Sequence, residues 1–196
     1  MKTQEEVREA ILAAAKSRLA RYGYGKTTMA ELAGDCKMSA GNLYRYFVSK
    51  LDIAEALARE SFAKTADALR AMVRQPGQEA AAKLEEFFVR RLQFTFQELA
   101  DDPHSMEVGQ MISRERPQVA TESLAQIRSL VAEILAQGNA TGEFDVPDVA
   151  GAADTLMNAT MKFSYPQLWT QQSLEELERE TRAVVALVVR GLRRGR

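Results

Sequence analysis

Apolar residues recur at helical spacing along almost the whole chain. Between Gln4 and Tyr22, the residues Val7, Ile11, Ala14, Ala15, Leu19 and Tyr22 form one stripe, while Arg8, Lys16, Arg18 and Arg21 point elsewhere. Gly23 and Gly25 end that helix, and Glu5, Glu6 and Glu9 suit its positive end. Thr27 to Lys50 reads as two short helices around a tight turn. Thr27 and Thr28 can cap the first, with Glu31 placed as in a capping box and Met29, Leu32 and Ala33 on its apolar side. Ser39 can cap the second, whose Leu43 and Phe47 face inward at i, i+4. Ser49, with Asp52 three residues on, opens a long helix from Lys50 to about Arg74. Ile53, Leu57, Phe62, Leu69 and Met72 carry its spacing, and Gln75-Pro76-Gly77 stops it.

Beyond this point the pattern predicts five more helices. An aromatic-rich helix over Gln78–Ala100 holds Leu84, Phe87, Phe88, Leu92, Phe94, Phe96 and Leu99 on more than one stripe, which predicts a central position. Asp101 to His104 breaks the chain. A short helix is expected over Ser105–Arg114, and a longer one from Pro117 through Gln137, ended by Gly138-Asn139 and the turn at Thr141-Gly142. Another runs from Pro147 to about Tyr165, and Ser173 caps the last, from Leu174 to about Leu192. The fold class expected is all-α.

The second helix of the tight pair exposes unusual residues. Ala40, Gly41, Asn42, Tyr44, Arg45 and Tyr46 remain once Leu43 and Phe47 face inward, and Lys50 follows. Small residues let a backbone come close, an amide can read a base edge, and phenols and cations suit phosphates. A helix-turn-helix with that surface predicts contact with a DNA groove.

The stretch SAGNLYRYFVSKLDIAEAL closely resembles the recognition helix and following helix start of the TetR family of transcriptional regulators, and TTMAELAGDCKM is similar to the preceding helix and turn. The resemblance is specific over about residues 5–57 and a pattern of helices beyond. It implies a homodimeric, ligand-responsive DNA-binding protein, usually a repressor, with a three-helix DNA-binding domain at 1–49 and a helical ligand-binding and dimerisation domain at 50–196. Carried over by position, Ser39, Ala40, Gly41 and Asn42 approach bases and backbone, and Tyr44, Tyr46 and Lys50 hold phosphates. Thr28, Lys37 and Arg45 complete the DNA-binding candidates. Two departures stand out. Lys37 occupies a turn position usually held by Gly, so either the turn differs or Lys37 bears strain. Asn42 replaces a small hydroxyl residue, so operator preference does not transfer.

Charge sharpens this reading. The net charge is −1, but residues 1–51 hold nine Lys and Arg against five Asp and Glu, and residues 52–196 hold seventeen against twenty-two. A basic end on an acidic body fits a protein that meets DNA with one end. With 46% hydrophobic residues, 196 residues suffice for a substantial core. Cys36 is alone, which excludes an intramolecular disulfide and leaves a small buried side chain or a redox sensor as its readings. The N-terminal stretch lacks a signal-peptide core and no apolar run reaches membrane-spanning length. A soluble cytoplasmic protein without membrane contact is expected.

For the body, the helices near 147–165 and 174–192 carry more small and apolar positions than one stripe needs. They are the expected homodimer interface, with intramolecular packing as the alternative. The long helix from Lys50 is placed to act as a lever between body and DNA-binding end. Phe87, Phe94, Met106, Met111, Met157, Met161, Phe163, Tyr165 and Trp169 are the candidate lining of an effector site, or plain core. Without a run of cations there, an apolar or weakly polar effector is expected rather than a strongly anionic one. His104 is the only histidine and no Cys lies near it, so no metal site is expected, and no cofactor; a helix-start or surface role is the simplest for it, with a ligand or pH-sensing role as the alternative. No phosphate loop, HExxH or nucleophile–base pair points to an enzyme. The rival is an adaptor whose helix-turn-helix makes protein contacts without sequence-specific DNA binding.

Overall fold

A computed structural model describes residues 3–102, 104–165 and 171–193. Ten helices order the described chain: α1 (Gln4–Tyr22), α2 (Met29–Asp35), α3 (Ala40–Tyr44), α4 (Lys50–Val73), α5 (Ala80–Asp101), α6 (Ser105–Glu115), α7 (Pro117–Thr141), α8 (Val149–Ala159), α9 (Met161–Ser164) and α10 (Leu174–Leu192). The fold is all-α. Among the described residues no helix is long and apolar enough to cross a membrane.

The chain forms two compact units, residues 1–63 with 98–122, and residues 64–97 with 123–196. Compactness divides the chain within α4, α5 and α7. Each unit buries its own apolar faces. In the first, Ile11, Leu12 and Ala15 of α1 meet Leu32 and Ala33 of α2, Leu43 and Phe47 around α3, and Ile53 of α4. Leu12 joins this core although the stripe read from the sequence passed over it, while Tyr22 lies 42% exposed. A second cluster in this unit joins Ala54 of α4 to Ile112 of α6 and Val119 of α7. In the second unit, Leu69, Leu84, Phe87, Phe88, Val131, Ile134, Leu135, Leu156 and Val185 share one core. Phe87 and Phe88 meet edge to face at 5.3 Å.

Helix ends follow local chemistry. Thr3, Thr28 and Ser173 each close a capping box, with Glu6, Glu31 and Glu176 respectively. Ser49 and Asp52 cap α4 through the Ser49 Oγ, which donates to Asp52 Oδ2 at 2.9 Å and accepts from the Asp52 N–H.

Two helices depart from the expected bounds. α7 runs through Gly138 and ends at Thr141. The glycine is there for close packing: a Cβ would drive into the Phe144 ring, which is itself buried. Asn139 does not end the helix either, because its amide pairs with both the N–H and the carbonyl of Val146. The helix expected from Pro147 to Tyr165 starts at Val149 and breaks at Thr160 into α8 and α9. Asp148 provides the start by accepting from the Gly151 N–H at 2.9 Å. At the break, the Thr160 hydroxyl donates back to the Leu156 carbonyl at 2.7 Å, a competition that bends helices.

Candidate nucleic-acid interface

The helix-turn-helix lies wholly in the first unit. α2 and α3 have seven and five residues, too short to persist alone, so caps and core packing hold them. The Thr28 hydroxyl accepts from the Glu31 N–H, and the Glu31 carboxylate accepts from the Thr28 hydroxyl and N–H, both at 2.8 Å. Those bonds, the hydroxyl first, hold the Glu31 carboxyl below its usual pKa. Arg18 of α1 braces the same helix by binding Asp35 with two guanidinium nitrogens and lying 3.3 Å from Glu31. The Asp35 bond raises the Arg18 pKa and lowers that of Asp35. Arg8 lies over the Phe47 ring at 5.0 Å. Arg8 and Arg18 therefore have partners inside the head.

The turn between α2 and α3 decides the question left at Lys37. Its φ is +54°, and it is the only described non-glycine residue with positive φ. The Lys37 N–H bonds to the Gly34 carbonyl and the Met38 N–H to the Ala33 carbonyl, the paired bonds of a Schellman ending. Glycine is preferred at that position because a Cβ there costs about 1 kcal/mol. The turn keeps its shape and Lys37 bears the strain, with its side chain exposed.

On α3, the Ser39 hydroxyl accepts from the Asn42 N–H at 3.2 Å. Ser39, Ala40, Gly41, Tyr44 and Arg45 are exposed, and Tyr44 is 50% accessible. Gly41 matters for what surrounds it: a Cβ there would meet nothing within 4 Å. The fold does not require glycine at that position, although glycine in a helix costs about 1 kcal/mol relative to alanine.

Three candidates stand differently from their expected exposure. Tyr46 is half-buried and packs against the head core, because α3 ends at Tyr44 and the chain turns inward to Phe47. Asn42 is half-buried, with its amide 4.0 Å from the Met38 sulfur. Lys50 turns back into the protein: its ammonium donates to the Tyr24 and Thr27 carbonyls at 2.6 and 2.7 Å and lies 4.0 Å from the Tyr24 ring centre. Burial lowers its pKa, against the opposing pull of Glu107 and Glu31. The loop after α1 leaves those carbonyls without helical partners, and Lys50 satisfies them.

Sequence reasoning missed two residues here. Val48, just past α3, is 81% exposed beside the polar surface. Glu107 of α6 accepts from the N–H groups of Tyr24 and Gly25 at 3.2 and 2.9 Å, and so ties α6 to the loop before α2. Gly23, at φ +79°, makes room, since a Cβ would lie 2.8 Å from the Glu107 carboxylate. The two glycines around Tyr24 were the available signal, as they leave N–H groups free for an acceptor.

Cys36 is half-buried against the head core, and burial pushes its thiol pKa up, away from the reactive thiolate. His104 caps the start of α6 by position and lies 3.6 Å from Glu107.

The effector candidates divide between units. Met106 and Met111 belong to the first, where Met111 packs against Ala54, Ile112 and Val119. Phe87, Phe94, Met157, Met161, Phe163 and Tyr165 belong to the second. Phe87 is wholly buried, Phe94 and Met157 pack at the edge of the main core, and Phe163 is buried with Leu92 and Leu177. Met161 and Tyr165 are 51% and 46% exposed. Trp169 lies outside the described residues.

Comparison with known proteins places this geometry. The family model for bacterial regulatory proteins of the tetR family matches residues 11–57, and the model for a tetracyclin repressor-like C-terminal domain matches residues 80–185. A putative TetR-family transcriptional regulator from Mesorhizobium loti MAFF303099 superposes with a TM-score of 0.78 at 17% identity, over 98% of this chain and 100% of that one. A TetR/AcrR-family regulator from Thermobifida fusca YX-ER1 gives 0.73 at 20% identity, over 95% and 98% of the two chains. Thermus thermophilus FadR, a TetR-family repressor in complex with lauroyl-CoA, gives 0.69 at 21%, over 96% and 97%. At such identities the superpositions carry the fold alone. No curated protein matches the sequence.

Proposed function

The chain belongs to the TetR family of transcriptional regulators, and from that premise we propose that it is a homodimeric repressor that binds a palindromic operator through α3 and is released by a small effector with a mainly apolar body. The observation that carries the DNA-binding part is the exposed face of Ser39, Ala40, Gly41, Tyr44 and Arg45, with a glycine that the fold does not need. A bare backbone on a capped helix lets the helix approach a groove closely. Lys37 and Arg45 flank it with exposed cations for phosphates, and Val48 offers an apolar contact to a thymine methyl or sugar. Asn42 and Thr28 contribute from the edges of the face. Tyr46 and Lys50 act chiefly by fixing the head, given their inward contacts.

Dimerisation is supported by Leu124, Met161 and Leu187, which are 43%, 51% and 68% exposed on α7, α9 and α10 of the second unit. Large apolar side chains left in water on one unit favour a partner surface. Two-fold pairing would present two α3 helices to two half-sites. Effector binding is proposed to act on the head through α6, whose Glu107 holds the loop between α1 and α2.

Selection of bound duplexes from a random DNA pool tests this reading. The expected product is an inverted repeat with half-site centres about one helical turn or a multiple apart. Recovery of unpatterned DNA, or of single half-sites bound by a monomer, would contradict it.

A further inference from the structure

The second unit contains a cation without a counter-charge among the described residues. Arg91 lies on α5, one turn from Phe87 and Phe88 on one side and from Phe94 and Thr95 on the other. Among the described residues, the half-buried arginines are Arg8, Arg18, Arg70, Arg91 and Arg116. All but Arg91 have a carboxylate within 4.0 Å. The Arg91 Nη1 donates instead to the Met157 thioether at 3.5 Å, a weak acceptor. The Tyr165 phenol acts on it electrostatically, but a neutral phenol does not balance a charge. None of the side chains outside the described residues is acidic.

The residue is half-buried as a whole, yet its guanidinium is enclosed enough to feel it. Burial pulls its pKa down from 12.5 to about 10, which still leaves it protonated at neutral pH. Among the described residues the Met157 thioether is the only acceptor for its five donors, and a half-buried cation so weakly answered calls for an anion from outside the chain.

We propose that Arg91 is the anchor of the effector site and pairs with a single carboxylate on a ligand whose apolar body lies against Phe94 and Met157. This rests on the reading that the second unit takes an effector. The guanidinium fork matches a planar carboxylate with two parallel hydrogen bonds. One negative charge is the right number, because other cations of the second unit already have carboxylates. Arg90 pairs with Glu86, Lys162 with Glu180, and Arg182 with Glu85. A polyphosphate would leave charge unanswered. The expectation of an apolar effector is thereby sharpened to an apolar body with one anionic head.

The test uses the full-length protein and a panel of straight-chain, branched and aryl monocarboxylates, each beside its own methyl ester. Calorimetric affinities are measured for the wild type and for Arg91→Met. At least one carboxylate is expected to bind the wild type about tenfold or more tightly than its ester, the scale of one charge-assisted pair. In Arg91→Met that preference should fall to about one. The melting temperature of the unliganded variant should hold or rise and its oligomeric state should persist, because an unpaired buried charge has been removed. The proposal is overturned if no carboxylate binds, if esters bind as well as acids, or if Arg91→Met melts lower or dissociates, which would make Arg91 a structural contact. Selective DNA binding is scored separately without ligand, so failure of the repressor reading and failure of the anion anchor are distinguished.

Discussion

The head and the body solve opposite problems with the same helical vocabulary. In the helix-turn-helix the residues with chemistry point outward from two very short helices, and caps together with a few core side chains hold those helices in place. In the second unit the distinctive groups, Arg91 and its aromatic and thioether neighbours, lie on α5 and α8, longer helices whose apolar faces share one large core. Function in the head should therefore rest on residues outside its core, whereas in the body the functional group lies beside the core that holds the fold.

The largest expected effect comes from the body. Phe87→Ala removes a fully buried ring from the main core and should cost about 3–5 kcal/mol in urea denaturation. A loss below about 1 kcal/mol would show that the body is not packed as a core around α5. Gly138→Ala comes next, at about 1–3 kcal/mol, since the methyl would press into Phe144. Phe144→Leu in the same chain should recover part of that loss; full additivity of the two changes would contradict the close approach of α7 to this ring.

In the head, Lys37→Gly should move stability and DNA binding in opposite directions. It relieves a positive φ and should add about 1 kcal/mol of stability. It should also weaken DNA binding and reduce its salt slope by about one unit, as loss of one phosphate contact does. Arg45→Ala should match the DNA effect with stability unchanged to within about 0.5 kcal/mol. If Lys37→Gly left both properties unchanged, the turn would not hold a strained residue.

The smallest effect is a pH dependence. The Glu31 pKa is lowered by its bonds to Thr28, so the folded head binds that proton less readily than the unfolded chain. Its contribution is present above the ordinary value of 4.5 and fades as pH falls through the lower folded value. Glu31→Gln should lower the head's stability at neutral pH, where the contribution is fully present, and flatten the acid limb of its stability curve below pH 4.5. An acid limb of unchanged steepness would remove the capping box as a titrating contact.

The same contrast explains what could be read from residues alone. Thr28, Ser39, Ser49 and Ser173 were legible as caps because a cap is decided within four residues, and the bounds of α1 and α10 match the structure. Gly138 misled because the sequence displays a glycine without its cause, which is a ring six positions later that packs onto the helix. Lys50 and Tyr46 misled for a similar reason: a polar side chain near an exposed helix reads as exposed until the loop carbonyls or the core beside it are seen. Arg91 was illegible. An arginine within an amphipathic helix reads as a solvated charge, and only tertiary structure reveals that its facing acid is missing. Glu107 was hidden likewise, since its partners lie more than eighty positions away.

The central claim is that α3 reads DNA through an exposed, small and polar face. Fluorescence anisotropy with DNA from upstream of the protein's own gene, against a scrambled duplex and across a salt series, tests it most directly. The account predicts tighter binding to the upstream duplex, a steep loss of affinity with salt, and a preference that Gly41→Leu abolishes while the head stays folded. Salt-insensitive binding, or a preference that survives Gly41→Leu, would contradict it.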